Sequence, residues 1–176
     1  CGLFAALIAA GAVIRSARPV QPCPRHVTRQ IFFSLRAGLV LGPRPGAVSV
    51  GIYLAVGLMG VPVFAAGGGP AYLIRPTFGF LAGFVPASWL AGKISRMGRS
   101  HPLRWSIAAS VIGMMSYYLS GMVYFYVVSN YLISMPVTWW MVAVNCFFLT
   151  AAGDLVLSVL AAVMAQRLKP AVGQLR

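Results

Sequence analysis

Asp154 is the only acidic residue in a chain of 176. It stands inside an apolar run, between Ala151-Ala152-Gly153 and Leu155-Val156-Leu157. A carboxylate in hydrocarbon is costly unless it faces a cavity or a partner. Two uses follow from that cost: an acceptor for a ligand, or an ion pair with a basic residue such as Arg36 or Arg75. Phe147, Thr150 and Asp154 are spaced i, i+3 and i+7, so on a helix they share one face. That face offers an aromatic wall, a hydroxyl and an acceptor, which suits a polar ring carrying N–H groups.

The same inventory excludes most catalysis. There is no second acid for acid–base work, no His/Cys/carboxylate cluster to hold a metal and no nucleotide-binding glycine motif. His26 and His101 read as loop residues, and serines in the apolar runs lack a nearby base. The expectation is no catalytic residue, no metal and no cofactor, with any energy supplied by another protein. Cys1, Cys23 and Cys146 are odd in number and lack metal-ligand spacing; Cys146, in an apolar run, reads as a small apolar residue. The net charge of +13 is spread in short clusters between apolar runs, as loop anchors are. Membrane lipid is therefore the expected partner of these charges and nucleic acid is not.

The elements that must position Asp154 are membrane spans. The hydrophobic set makes up 60% of the residues, charged residues 9%, and the mean hydropathy is +0.85, too little charge for a wet surface. Between Arg104 and Arg167 the only charged residue is Asp154. A crossing takes about 20 apolar residues, so this stretch holds two, with a turn at Ser129, Asn130, Ser134, Pro136 and Thr138. The pattern predicts an all-α integral membrane protein, a single domain over 1–176, with about six transmembrane helices near 2–14, 31–42, 46–60, 77–94, 104–128 and 139–166. Gly42 to Gly46 reads as a tight turn. Val61 to Pro76, with Gly67, Gly68 and Gly69 in a row, reads as a loop folding back on the protein. Gly2 to Ile14 would reach only about 20 Å as a helix, so it is expected to be a truncated first span rather than a lipid anchor or signal remnant.

Orientation follows the Lys and Arg residues. With the amino terminus cytoplasmic, Arg44, Lys93, Arg96, Arg99, Arg104, Arg167, Lys169 and Arg176 lie inside, and Arg15, Arg18, Arg25, Arg29 and Arg75 outside. The bias of eight to five predicts both termini in the cytoplasm. The first outer loop breaks the trend with four Arg, a cluster that would gather anions or touch lipid headgroups. Arg36, inside an apolar run, must snorkel or pair. Trp139 and Trp140 fit an outer aromatic belt. Gly2, Ala6 and Ala10 form a small-residue stripe, fit for internal packing or for docking a second protein.

These segments, in this order, resemble the substrate-binding membrane subunits of biotin transporters of the energy-coupling-factor type, the BioY family. The resemblance runs essentially the full length. It is carried by "GLFAALIAAGA", "VTRQ", "AGLVLGPRPGAVSVGIYLAVGLMGVPVFAAGGG", "YLIRPTFGFLAGF" and "AAGDLVLSVLAAVMAQRLKP". It implies six helices, cytoplasmic termini, the plasma membrane of a prokaryote, and biotin bound near the outer face under loops. By position, Thr28 and Gln30 match the family's Thr-x-Gln, Gly67 to Gly69 its glycine loop, Thr77 and Gly79 its "PTxG" turn, and Asp154 its acid. Gly2, Ala6 and Ala10 match the stripe that docks on a transmembrane coupling subunit, itself driven by ABC-type ATPases.

Three positions depart from the family. Leu157 stands where many relatives carry Lys, Ala66 where some have a polar residue, and the first loop is longer and more basic. Biotin's cyclic urea has two N–H donors that Asp154 can accept, with Thr150 on the same face and Gly68 in the loop above. Tyr72 and Phe78 can cover the ring, and Arg75 can meet the carboxylate. The rival readings are a proton-coupled secondary transporter titrating Asp154, and a non-transporting membrane assembly protein.

Overall fold

The computed structural model describes residues 2–13, 15–18, 25–28, 30–64, 67–97, 102–132, 137–144, 147 and 150–173, with the side chains of 12–29 and beyond 167 left undescribed. Helices α1 (Gly2–Val13), α2 (Gln30–Leu41), α3 (Pro43–Leu58), α4 (Phe78–Met97), α5 (Pro102–Val127), α6 (Trp139–Ala143) and α7 (Ala151–Gly173) follow one another along the chain. Between α1 and α2 lies an antiparallel hairpin of β1 (Arg15–Arg18) and β2 (Arg25–Thr28).

These helices are apolar nearly all round, so size and polarity decide which side faces in. Among the described residues, the buried polar ones are Gln30, Asp154 and eight serines, among them Ser34, Ser88, Ser106 and Ser158, and alanines such as Ala87, Ala91, Ala161 and Ala165 are buried with them. The exposed set is large and apolar: Met59, Leu119, Val123, Leu132 and Trp140. Small and polar residues between helices, with bulky apolar ones outside, is the pattern of a bundle solvated by lipid. Among the described residues, Leu103–Leu132 is the one helix long and apolar enough to cross a bilayer unaided; Gly2–Gly11 and Gln30–Leu41 are apolar but shorter.

Helix α2 is the hub, packed against α1, α3, α4, α5 and α7, with Ile31, Leu35 and Leu39 buried in one core with Tyr53, Phe84, Met114 and Tyr118. The chain passes up and down, so the starts of α2, α4 and α7 share an end with the later turns of α3 and α5. Three contacts tie that end together: Gln30 with Tyr53, Tyr124 with the Leu73 carbonyl at 2.5 Å, and Tyr118 with Asp154. At the far end Gln166 of α7 donates to Ser106 of α5. Helices α5 and α7 are thus joined at both ends.

Four expectations change in detail. The five-residue turn from Gly42 is a single residue. Gly42 adopts φ 96°, and Pro43 and Pro45 sit inside the first turn of α3, where a missing N–H costs nothing. Arg96 donates to the Leu41 carbonyl at 3.1 Å, so it closes α2 as well as marking a loop. The Val61–Pro76 loop holds a short 3-10 turn at Pro70–Ile74.

The expected turn residues Ser129 and Asn130 continue α5 as a π-helical turn, Val128–Leu132. Asn130 then closes the connection to α6 by hydrogen bonds in both directions with the Val137 backbone, each 3.2 Å; Ser134 and Pro136 lie outside the described residues.

The largest change is the last span, expected unbroken over 139–166. Among the described residues, α6 ends at Ala143, Val144 and Phe147 are π-helical, and α7 begins at Ala151. Asp154 therefore lies in the first turn of α7.

Candidate binding site

Asp154 is 6% exposed. The Tyr118 hydroxyl of α5 donates to its Oδ2 at 2.5 Å and lies 3.1 Å from Thr150 Oγ1. The Tyr118 ring meets Phe147 edge-on at 5.3 Å. Phe147, Thr150 and Asp154 thus share one face, as their spacing predicts. It is held by local bonds, Thr150 N to Phe147 O at 3.2 Å and Asp154 N to Thr150 O at 3.0 Å, and by a tyrosine that all three residues contact.

A second group forms at the start of α2. Gln30 is 1% exposed, and its amide donates to the Tyr53 hydroxyl at 2.5 Å. That hydroxyl in turn donates to the Val63 carbonyl at 3.2 Å. Tyr53 meets Phe64 at 5.5 Å, and Phe64 meets Tyr72 at 4.8 Å. The Arg75 guanidinium lies 5.3 Å above the Tyr72 ring. The glycine loop makes this stack possible. Gly67 and Gly69 have φ of 110° and 103°, values that side chains other than glycine resist. Phe64 and Gly67 exchange backbone hydrogen bonds, and Gly69 N donates to Gly57 O at 2.8 Å. A side chain on Gly68 would collide with the Val61 carbonyl. Together these fold Phe64 and Tyr72 down onto Tyr53.

Helix α2 packs on both α3 and α7, the helices that carry Tyr53 and Asp154. Thr77 is half-buried, and its carbonyl accepts from Phe80 N at 3.2 Å at the start of α4. Phe78, expected over a ligand ring, packs against Tyr124 at 5.9 Å. The Arg36 guanidinium lies over Phe32 at 5.2 Å, so the two arginines considered as partners for Asp154 rest on aromatic faces. Of Thr28 only the backbone is described, paired with Arg15 across the hairpin; Ala66 and Cys146 lie outside the described residues. Gly2, Ala6 and Ala10 are exposed, while Ile8 and Gly11 point into the bundle, so the stripe faces away from the core.

Tyr53 and Tyr118 were not singled out from the sequence. The signal was present, because a phenol inside a long apolar run must find a partner for its hydroxyl. No spacing rule, however, says which one.

A lipid-solvated bundle of short helices, with one enclosed carboxylate and an aromatic stack under a glycine loop at the same end, is a multi-pass helical membrane protein. Its likeness to known proteins narrows the class. The chain belongs to the BioY family, whose model matches residues 1–174. It is 37% identical over 166 residues to a probable biotin transporter BioY of Lysinibacillus sphaericus, covering 94% of this chain and 83% of that one. The biotin transporter BioY of Thermotoga maritima is also 37% identical, over 121 residues and 68% of each chain. In fold, the chain matches the crystal structure of the S-component for biotin from an ECF-type ABC transporter with a TM-score of 0.81. That match has 20% identity and covers 96% of this chain and 88% of the other.

Proposed function

We propose that this chain is the substrate-capture subunit of a vitamin importer in the plasma membrane of a prokaryote. It takes biotin from the outer side and delivers it inward with a transmembrane coupling subunit and ABC-type ATPases. It catalyses no reaction itself and binds no cofactor. Membership of the BioY family over residues 1–174 carries this reading. The site supports it: Asp154 accepts from the urea N–H groups, with Thr150 beside it. Gln30, Thr28 and Thr77 contribute polar groups, Gly68 brings the loop down, Tyr72 covers the ring system, and Arg75 meets the ligand carboxylate. Both termini lie in the cytoplasm, and the site end of the bundle faces out.

The test is direct. The detergent-solubilised protein binds biotin in a screen against other vitamins. Vesicles holding it accumulate biotin only when the coupling subunit, the ATPases and ATP are also present. Uptake in vesicles lacking ATP, abolished by an agent that collapses the proton gradient, would overturn this reading in favour of a secondary transporter.

The hairpin between α1 and α2 adds a rate effect. Its backbone register sets Arg18 opposite Arg25, which brings two basic positions together. With Arg29 these residues speed capture of the anionic ligand. Exposed charges are screened over about 8 Å at physiological salt, so the association rate falls as salt rises. Changing all three to Gln lowers the low-salt rate by about tenfold, the low end of electrostatic steering, flattens its salt dependence and leaves dissociation unchanged. Stopped-flow measurement of both rates checks this. Faster release instead would mean that the arginines clamp the carboxylate.

A further inference from the structure

Asp154 is 6% exposed and stands in the first turn of α7. A carboxylate can rotate about two side-chain bonds, and an acceptor that rotates cannot select a ligand by N–H geometry. A group that reaches it comes from another helix. Tyr118 is 2% exposed, and its ring is held on two sides, by Phe147 at 5.3 Å and by Tyr117 at 5.0 Å. Tyr117 is itself stacked flat on Phe84 of α4, with centroids 5.0 Å apart and 3° between planes. The phenol oxygen is therefore placed by α4, α5 and the segment before α7.

That phenol has one proton. It meets Asp154 Oδ2 at 2.5 Å and Thr150 Oγ1 at 3.1 Å. The charge-assisted bond is the stronger and takes the proton. The Thr150 hydroxyl can then donate to Tyr118, so the chain runs from Thr150 through Tyr118 to the carboxylate, each bond polarising the next. A carboxylate has about four acceptor positions. Tyr118 takes one and in doing so sets where the others point.

We infer that Tyr118 is the positioning residue of the binding site: its hydroxyl, backed by Thr150, aims the Asp154 carboxylate so that only a ligand presenting N–H groups in one geometry is accepted. This rests on the assignment of Asp154 to the urea N–H groups. Tyr118 does not itself touch the ligand. It acts on selectivity through the acceptor it orients.

The test compares biotin with biotin methylated on a urea nitrogen, bound to the purified full chain in detergent by calorimetry. Wild type binds biotin more tightly than the methylated compound. Tyr118→Phe keeps the ring and its packing and removes only the hydroxyl. Biotin affinity falls by about tenfold, as for loss of a hydrogen bond to a charged group, affinity for the methylated compound barely moves, and the ratio narrows. Thr150→Val narrows the ratio in the same direction by less, and serves alone if Tyr118→Phe does not fold. Equal weakening of both ligands would mean that the hydroxyl serves stability only, and would overturn the inference, as would unchanged biotin affinity in both variants. If Asp154→Ala leaves the ratio at its wild-type value, the assignment of Asp154 itself falls and this inference with it.

Discussion

Replacing Asp154 by Ala is expected to weaken biotin binding by about 100-fold or more while the protein still inserts and purifies. Loss of a hydrogen bond to a charged group costs about 1.5–3 kcal/mol, and a buried ligand N–H left unpaired adds its own desolvation cost. Tyr118 loses its acceptor in the same variant, so the protein side of the site is also left unsatisfied. Asp154→Asn is the informative companion, since it keeps the shape but faces the ligand and Tyr118 with an amide in place of a carboxylate. It should recover little of the loss. Calorimetry on detergent-purified protein, with monodispersity as the folding control, decides the matter. Near-normal affinity in Asp154→Ala would remove this residue from the site.

The second large effect lies at the other face of the molecule. Ala6→Leu on α1 is expected to abolish co-purification with the coupling subunit and ATP-driven uptake, while biotin binding by the isolated chain is unchanged. Gly2, Ala6 and Ala10 are exposed, and the side chain that α1 buries is Ile8, at 0% exposure. A leucine at position 6 is therefore expected to point away from the described core. Against a closely packed partner helix it would meet backbone. Overpacking costs about 1–3 kcal/mol per site, enough to reduce association by roughly 5- to 150-fold at 1.4 kcal/mol per tenfold. Co-purification and biotin binding measured on the same preparation separate the two roles. A variant that loses both functions together would show that the stripe packs inside the bundle.

These two faces were legible to different degrees. The small-residue stripe was visible as a pattern, but two uses fitted it equally well, internal packing or docking. A helix that is apolar all round has no polar side to mark its orientation, and only the burial of Ile8 shows which way α1 turns.

Asp154 stood out by itself, because a lone carboxylate in an apolar run has few explanations. Its partners did not. Arg36 and Arg75 were the natural candidates by charge, yet both rest on aromatic rings, and a tyrosine 36 residues away holds the carboxylate. Pairing by charge can be guessed from composition. A hydrogen bond between helices depends on their relative rotation and depth, which no local spacing encodes.

The sequence by itself determined the solvent and the scaffold: a helical membrane protein, its spans and the single acid around which a site could form. It did so because lipid tolerates few charges, so each one is informative. It also marked the glycine loop, since three consecutive glycines cannot continue a regular element cheaply. The tertiary structure decided what the pattern could not carry. The last span is π-helical at Val144 and Phe147, between α6 and α7. The Tyr118 hydroxyl of α5 reaches Asp154 in the first turn of α7, a contact set by how the two helices pack. The aromatic stack of Tyr53, Phe64 and Tyr72 likewise joins α3 to a loop through contacts that exist only once the chain has folded.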